Sequence, residues 1–284
     1  MTSNRTFEDR VAVREKVPLM IGLFGPSGGG KTFSALRLAT GIQRINGGDI
    51  YGIDTEARRM LHYAGQFKFR HVAFGAPFSP DDYLAAIEHC VKKGAGVVIV
   101  DSMSHEHEGP GGVLEWHEEE VQRLSKGDPA KMDAVNFLAW AKPKAARRRM
   151  INTILQLPAS FIFCFRSKEK LKIIPKRAPI PMGFMPIAGE EFVYEMMLAC
   201  LLLPNAGGVP TWQSNEIGEK MMIKLPEQFK ELRAPPADGA TQLPLSEAIG
   251  ERLAKWAMGK VESTPAKPEP PKDQPPKEEA HGLI

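Results

Sequence analysis

Apolar residues cluster in this chain in two alternating ways. Short continuous runs recur: LMIGLF at 19–24, DIYGID at 49–54, VVIVD from Val97 to Asp101 and FIFCFR from Phe161 to Arg166. Each reads as a strand, and VVIVD has the β-branched density of a strand buried on both faces of a parallel sheet. YEMMLACLLL, at 194–203, reads as one more. Between the runs the spacing turns helical. Phe33, Leu36, Ala39, Thr40 and Ile42 outline a first helix that Asn46-Gly47-Gly48 ends. SPDDYLAAIEHCVKKG carries a complete set of helix signals: Ser79 as N-cap, Pro80 at the first turn with Asp81 and Asp82, Lys92 and Lys93 at the far end, then Gly94. Its apolar stripe is Tyr83, Ile87, Cys90 and Val91. Leu114, His117, Val121 and Leu124 outline a later helix. Alternating strands and helices predict a doubly wound α/β domain, with a mainly parallel central sheet and helices on both faces. In such sheets ligands sit at the C-terminal ends of the strands.

The alternation ends near residue 260. From Glu262 the chain reads ESTPAKPEPPKDQPPKEEAHGLI, where proline and charge replace apolar residues, so 261–284 is expected to be a disordered tail. The division expected is a lead segment 1–16, one domain at 17–260, and that tail. No apolar run is long enough to span a bilayer, and the charged N-terminus is not a secretory signal. Three cysteines, Cys90, Cys164 and Cys200, are widely spaced in apolar surroundings and read as reduced core thiols, so a cytoplasmic setting is expected. A formal net charge of +3 is too small to imply a polyanion partner by itself.

The chemistry begins where the first strand ends. Gly25-Pro26-Ser27-Gly28-Gly29-Gly30-Lys31-Thr32 fits the pattern G-x-x-x-x-G-K-[ST], with Phe33 continuing into the helix. Glycines let backbone N–H groups curl round an anion, and the helix adds its positive N-terminus. Lys31 is placed to reach the β- and γ-phosphates, and Thr32 offers a hydroxyl to Mg²⁺. Two other strands end in carboxylates. Asp101 stands where a Mg²⁺-positioning acid belongs, with Ser102 beside it. Asp54 and Glu56, in YGIDTE, are placed to polarise a water attacking the γ-phosphate.

A phosphate loop, then IDTE, then VVIVDS resembles the core of RecA-type ATPases, and Glu56 matches the catalytic glutamate of that family. More narrowly, IDTE, VVIVDSMSHEHEGPGGVLE, FIFCFRSKEK and GEEFVYEM together resemble phage-encoded RecA-like ATPases associated with single-strand annealing and recombination, over roughly Val17 to Trp256. The resemblance implies a RecA-like P-loop fold, ATP and Mg²⁺ as ligands, and hydrolysis carried by Lys31, Glu56 and Arg166. Arg166 follows FIFCF and matches the position that senses the γ-phosphate. The implied partners are single-stranded DNA and single-strand-binding or recombination proteins, in the host cytoplasm; homo-oligomerisation stays open.

Other readings stand beside this one. His105, His107 and His117 with nearby glutamates have the spacing of metal ligands, yet the loop leaves the Asp101 strand near the γ-phosphate, and Gly109 to Gly112 suggest a mobile nucleotide-proximal segment. Glu106 or Glu108 is the alternative base. In KPKAARRRM successive helical residues are about 100° apart, so Arg147, Arg148 and Arg149 cannot share one ligand, whereas Lys144 and Arg148 share a face. With Lys168, Lys170, Lys172, Lys176 and Arg177 they can form a surface for single-stranded DNA, although that later stretch has prolines (Pro175, Pro179, Pro181) and little aromatic interleaving. A P-loop kinase with an arginine-rich lid and a slow nucleotide-gated assembly protein are the alternatives in function.

Overall fold

The computed structural model describes residues 8–173, 178–212, 223–233 and 242–259. Its centre is a sheet ordered β3-β2-β4-β5-β1-β7-β8. The strands are β1 (Met20–Gly25), β2 (Asp49–Asp54), β3 (Arg70–Ala73), β4 (Ala95–Asp101), β5 (Ser160–Lys172), β7 (Leu198–Leu202) and β8 (Pro210–Thr211). All neighbouring pairs from β3 to β7 are parallel, and β8 runs antiparallel to β7. β6 (Ile180–Pro186) pairs antiparallel with the outer half of β5.

The period-2 geometry of the strands supplies both cores. On β5, Phe161, Phe163 and Phe165 join a cluster on one face, while Ile162 and Cys164 join the other. The first face is covered by α2 (Pro80–Lys92) and α6 (Ala141–Ile154), through Tyr83, Ile87, Cys90, Met150 and Ile154. The second is covered by α1 (Lys31–Asn46) and α8 (Glu247–Ala257), through Leu36, Leu38, Ala39, Ile42, Leu253 and Ala254. The expected α/β architecture, with a mostly parallel central sheet and helices around it, is therefore observed.

α2 matches its sequence signals: Ser79 accepts the Asp82 N–H, Pro80 opens the helix, and Tyr83, Ile87 and Cys90 are buried. Val91 is only partly buried. α1 differs from expectation. Its buried face is Ser34, Ala35, Leu36, Leu38, Ala39, Gly41 and Ile42, with Phe33 outside it at 37% exposure. The stripe is rotated because α1 is clamped between the sheet and α8. That crossing is close enough that a Cβ on Gly250 would stand 2.3 Å from the Leu38 carbonyl oxygen, so the helix presents small residues there.

Three features were not legible beforehand. β3 is short and only half buried, so it has no apolar run. β5 continues past Arg166 into a hairpin arm with β6, so Lys168 and Lys170 ride on a strand. β7 starts only at Leu198; Tyr194 to Met197 belong to the turn before it.

The lead segment rests on α8, where Val17 N–H donates to the Ala257 carbonyl at 2.9 Å and Arg14 to the Trp256 carbonyl at 2.7 Å. Residues 1–7, Pro175, Lys176, Arg177 and the tail 261–284 lie outside the described residues. Cys90, Cys164 and Cys200 are buried free thiols. Among the described residues no helix is long and apolar enough to cross a membrane.

Candidate functional site

Parallel register brings four strand ends together. Gly25 of β1 sits opposite Arg166 of β5, Cys164 of β5 opposite Asp101 of β4, and Asp101 opposite Asp54 of β2. The loops leaving these ends enclose a cleft of about 730 Å³, lined by Ser27, Gly28, Gly30, Lys31, Thr32, Glu56, Arg59, His62, Tyr63, Asp101, Glu108, Arg166, Ser167 and Ile187.

The glycine loop forms one wall. Gly30 is left-handed at φ 80° and serves as N-cap of α1 without any side-chain cap, and no acid occupies the first turn. The opening of a 16-residue helix therefore lies at the cleft with no side-chain cap on its N–H groups. Gly29 is required for another reason: a Cβ there would stand 2.2 Å from the Leu202 carbonyl oxygen. Lys31 folds over the loop and donates from Nζ to the Gly25 and Pro26 carbonyls, both at 2.8 Å. Burial strips solvent from the ammonium and so lowers its pKa. Gly25, Pro26, Gly29 and Phe33 form the back of the loop rather than the cleft wall. The Phe33 ring packs against Tyr63 and Phe67, at centroid distances of 5.8 and 5.3 Å.

Thr32 donates from Oγ1 to Asp101 Oδ2 at 2.5 Å. Asp101 is 7% exposed. Burial pushes its carboxyl up to about 6, against the pull of the Thr32 hydrogen bond. A buried carboxylate beside a hydroxyl, with no cation in direct contact among the described residues, is an oxygen-donor pair suited to a hard divalent ion. No group of three or more His, Cys, Asp or Glu side chains among the described residues is arranged to hold a metal. A magnesium site here would therefore draw its remaining oxygens from phosphate and water, as such sites do.

The IDTE strand end divides its two acids between different tasks. Asp54, nearly fully buried, accepts the N–H groups of Glu56 at 2.8 Å and Met60 at 3.0 Å, and contacts His71 Nε2 at 3.1 Å. It holds the turn. Glu56 faces the cleft, where Arg166 Nε and Nη2 both lie 2.8 Å from Oε1, and Arg59 Nη1 lies 3.2 Å from Oε2. Arg166 is anchored from behind, its backbone N–H donating to Ser104 Oγ at 2.8 Å.

The histidine-rich segment is two helices joined by a turn at 109–112. It forms α3 (His105–Glu108) and then α4 (Val113–Ser125), and its glycines serve close packing. A Cβ on Gly112 would stand 2.8 Å from the carbonyl oxygens of His105, Glu106 and Gly109. Its histidines go three ways. His105 contacts Thr55 Oγ1 at 2.7 Å and stacks on Phe78; His107 contacts Arg147; His117 stacks on Trp140, ring centroids 4.0 Å apart. Glu106 is withdrawn as a candidate base because Arg147 grips both its oxygens at 2.9 Å in the interior. Glu108 still lines the cleft.

KPKAARRRM lies on α6, and its three arginines diverge as helical geometry requires. Arg147 points inward to Glu106, and Arg149 pairs with Asp81 of α2. Arg148 and Lys144 line a groove of about 380 Å³ with Phe137, Leu138, Trp140, Ala141 and Glu191. Phe137 and Leu138, at the end of α5 (Pro129–Ala139), are 92% and 59% exposed. The aromatic component thus comes from α5 and the α5–α6 junction.

Sequence reasoning missed Arg59, His62 and Tyr63, which also line the cleft. They occupy a single 3₁₀ turn (Arg59–Tyr63), too short to produce a periodic signal. No family model matches this chain, and no curated protein is detectably similar to it.

Proposed function

We propose that the chain is a magnesium-dependent nucleoside triphosphatase of RecA-like type, with ATP as the expected substrate. The carrying observation is the convergence, in one cleft, of an uncapped glycine-loop helix, the Thr32–Asp101 pair and the cleft-facing carboxylate of Glu56. Loop amides and Lys31 bind the phosphates, the lysine exchanging two carbonyl contacts for phosphate oxygens. Thr32 and Asp101 would hold Mg²⁺, which when bound neutralises charge on the terminal phosphates. Glu56 accepts the proton of the attacking water, and Arg166 reports on the terminal phosphate. Tyr63 and His62 offer a surface for the base. A kinase of a small acceptor gives Glu56 no equally direct task.

The test is release of inorganic phosphate from ATP with and without Mg²⁺. Hydrolysis is expected only with the metal, and Lys31→Ala is expected to weaken triphosphate binding at least about tenfold through loss of a charge-assisted phosphate contact. Turnover in chelator equal to that in Mg²⁺ contradicts the reading.

Single-stranded DNA is the partner this reading favours, and the groove beside α6 supports it. Exposed Phe137 offers a ring to bases beside half-buried Trp140, one face of which is taken by His117, and Lys144 and Arg148, without acidic partners among the described residues, offer charge to phosphates. Phe137→Ala is expected to weaken oligonucleotide binding by about 1–3 kcal/mol. Arg148→Glu is expected to flatten its salt dependence. Retention of a labelled oligonucleotide across a salt series measures both, and unchanged binding in the two variants removes the groove from consideration.

A further inference from the structure

Both oxygens of Glu56 are engaged by arginines in this structure. Arg166 takes Oε1 with two nitrogens and Arg59 takes Oε2 with one. A carboxylate oxygen has two acceptor positions, so Arg59 occupies one of the two on Oε2. Its release opens both to an attacking water.

The two arginines are not equally fixed. Arg166 lies within β5, where the strand leaves the central sheet, with its backbone N–H tied to Ser104 and two of its nitrogens on Glu56. Arg59 holds Glu56 by a single contact at 3.2 Å, and its side chain is 69% exposed at the cleft rim. The backbone leading to it is unusual. Ala57 and Arg58, the two residues between Glu56 and Arg59, both sit in the left-handed region, at φ 56° and 66°. Neither is glycine, and each such residue costs roughly 1–2 kcal/mol. Asp54 clamps both sides of this turn through the Glu56 and Met60 N–H groups. The fold thus maintains a strained turn whose result is to set Arg59 beside Glu56, in the cleft that the glycine loop also lines.

We propose that Arg59 is a catalytic residue of the hydrolysis, an arginine supplied from within the chain that moves from Glu56 to the terminal phosphate. This rests on the triphosphatase reading above. A triphosphate brings anionic oxygens into a cleft where Arg59 has, among the described residues, one competing side-chain contact to surrender. Its transfer does two things at once: Oε2 becomes free to take a water proton, and a guanidinium meets the charge that develops on the transferring group. In the step itself the water oxygen bonds to the γ-phosphorus. The bond from that phosphorus to the β–γ bridging oxygen breaks, its electron pair staying on the diphosphate. The water proton passes to Glu56, and the products are nucleoside diphosphate and inorganic phosphate.

The experiment compares the wild-type chain with Arg59→Ala and Arg59→Lys. It measures kcat and KM for MgATP, and calorimetric affinity for ADP and for a non-hydrolysable ATP analogue. Arg59→Ala is expected to lower kcat by about a hundredfold or more. It is also expected to weaken the triphosphate analogue severalfold while ADP affinity changes little, and Arg59→Lys is expected to retain part of both. The alternative predicts the opposite sign: if Arg59 only restrains Glu56, Arg59→Ala hydrolyses as fast as wild type or faster, which overturns the proposal. Should the wild type bind nucleotide without turning it over, the triphosphatase reading fails. Calorimetry then still decides for Arg59 as a phosphate contact: loss of the preference for triphosphate in Arg59→Ala supports that contact, and an unchanged preference overturns it.

Discussion

Glu56→Gln is expected to reduce ATP turnover about a thousandfold, in the middle of the range for removal of a general base, while leaving nucleotide affinity nearly intact. The amide preserves size and can still accept a hydrogen bond, but it cannot take the proton of the attacking water. KM should therefore stay close to wild type while kcat falls, the pattern of an interaction made only in the transition state. Glu108 is the control because it lines the same cleft without an arginine partner among the described residues. Glu108→Gln is expected to lower kcat less than about fivefold, since Glu108 lacks the arginine contacts that tie Glu56 to the phosphate site. The reverse outcome, with Glu56→Gln active and Glu108→Gln inactive, moves the base to α3.

The second large effect concerns stability. Arg147 and Glu106 are each 4% exposed, joined by two hydrogen bonds of 2.9 Å, with His107 Nδ1 also at 2.9 Å and Glu191 at 3.5 Å. Burial and the adjacent guanidinium bring the His107 imidazole down to about 4. His107 is then neutral near pH 7 and free to accept the arginine N–H. Arg147→Met leaves Glu106 buried with neither counter-charge nor adequate donors, at a cost of about 3–5 kcal/mol. For a domain of this size that is a fall in Tm of about 6–20 °C. Adding Glu106→Leu removes the orphaned carboxylate and is expected to recover much of the loss, because two apolar side chains can replace a buried ion pair at little net cost. Thermal unfolding of the two variants measures this. An Arg147→Met chain that melts within about 3 °C of wild type shows that the pair contributes little.

These predictions differ in how far they could be read before folding. Glu56 and Asp101 stand at the ends of apolar runs, and in a parallel sheet the end of a run is the position of the ligand edge. Their placement needed only the register rule, which the pairing of Gly25 with Arg166 and Asp54 with Asp101 obeys. Glu106 has the same chemistry and lies only five residues beyond Asp101. Whether it faces a ligand or the interior depends on an arginine 41 positions away. Likewise Asp54 and Glu56 are equivalent acids in sequence, and only the backbone of the turn separates the structural acceptor from the one facing the cleft.

What local residue order could decide, it decided: the glycine loop and its helix, the caps of α2, the buried strands and the strand-end acids. Each follows from interactions within a few residues or from a short periodic pattern. What it could not decide depends on distant partners. The rotation of α1 follows from its close crossing with α8, and the inward turn of Arg147 from its pairing with Glu106. The aromatic groove needs α5 and α6 side by side. Arg59 meets Glu56 only because Asp54 holds a strained turn between them. Side-chain direction at these positions is set by which neighbour satisfies a charge or fills a gap, and that neighbour is chosen by the fold as a whole.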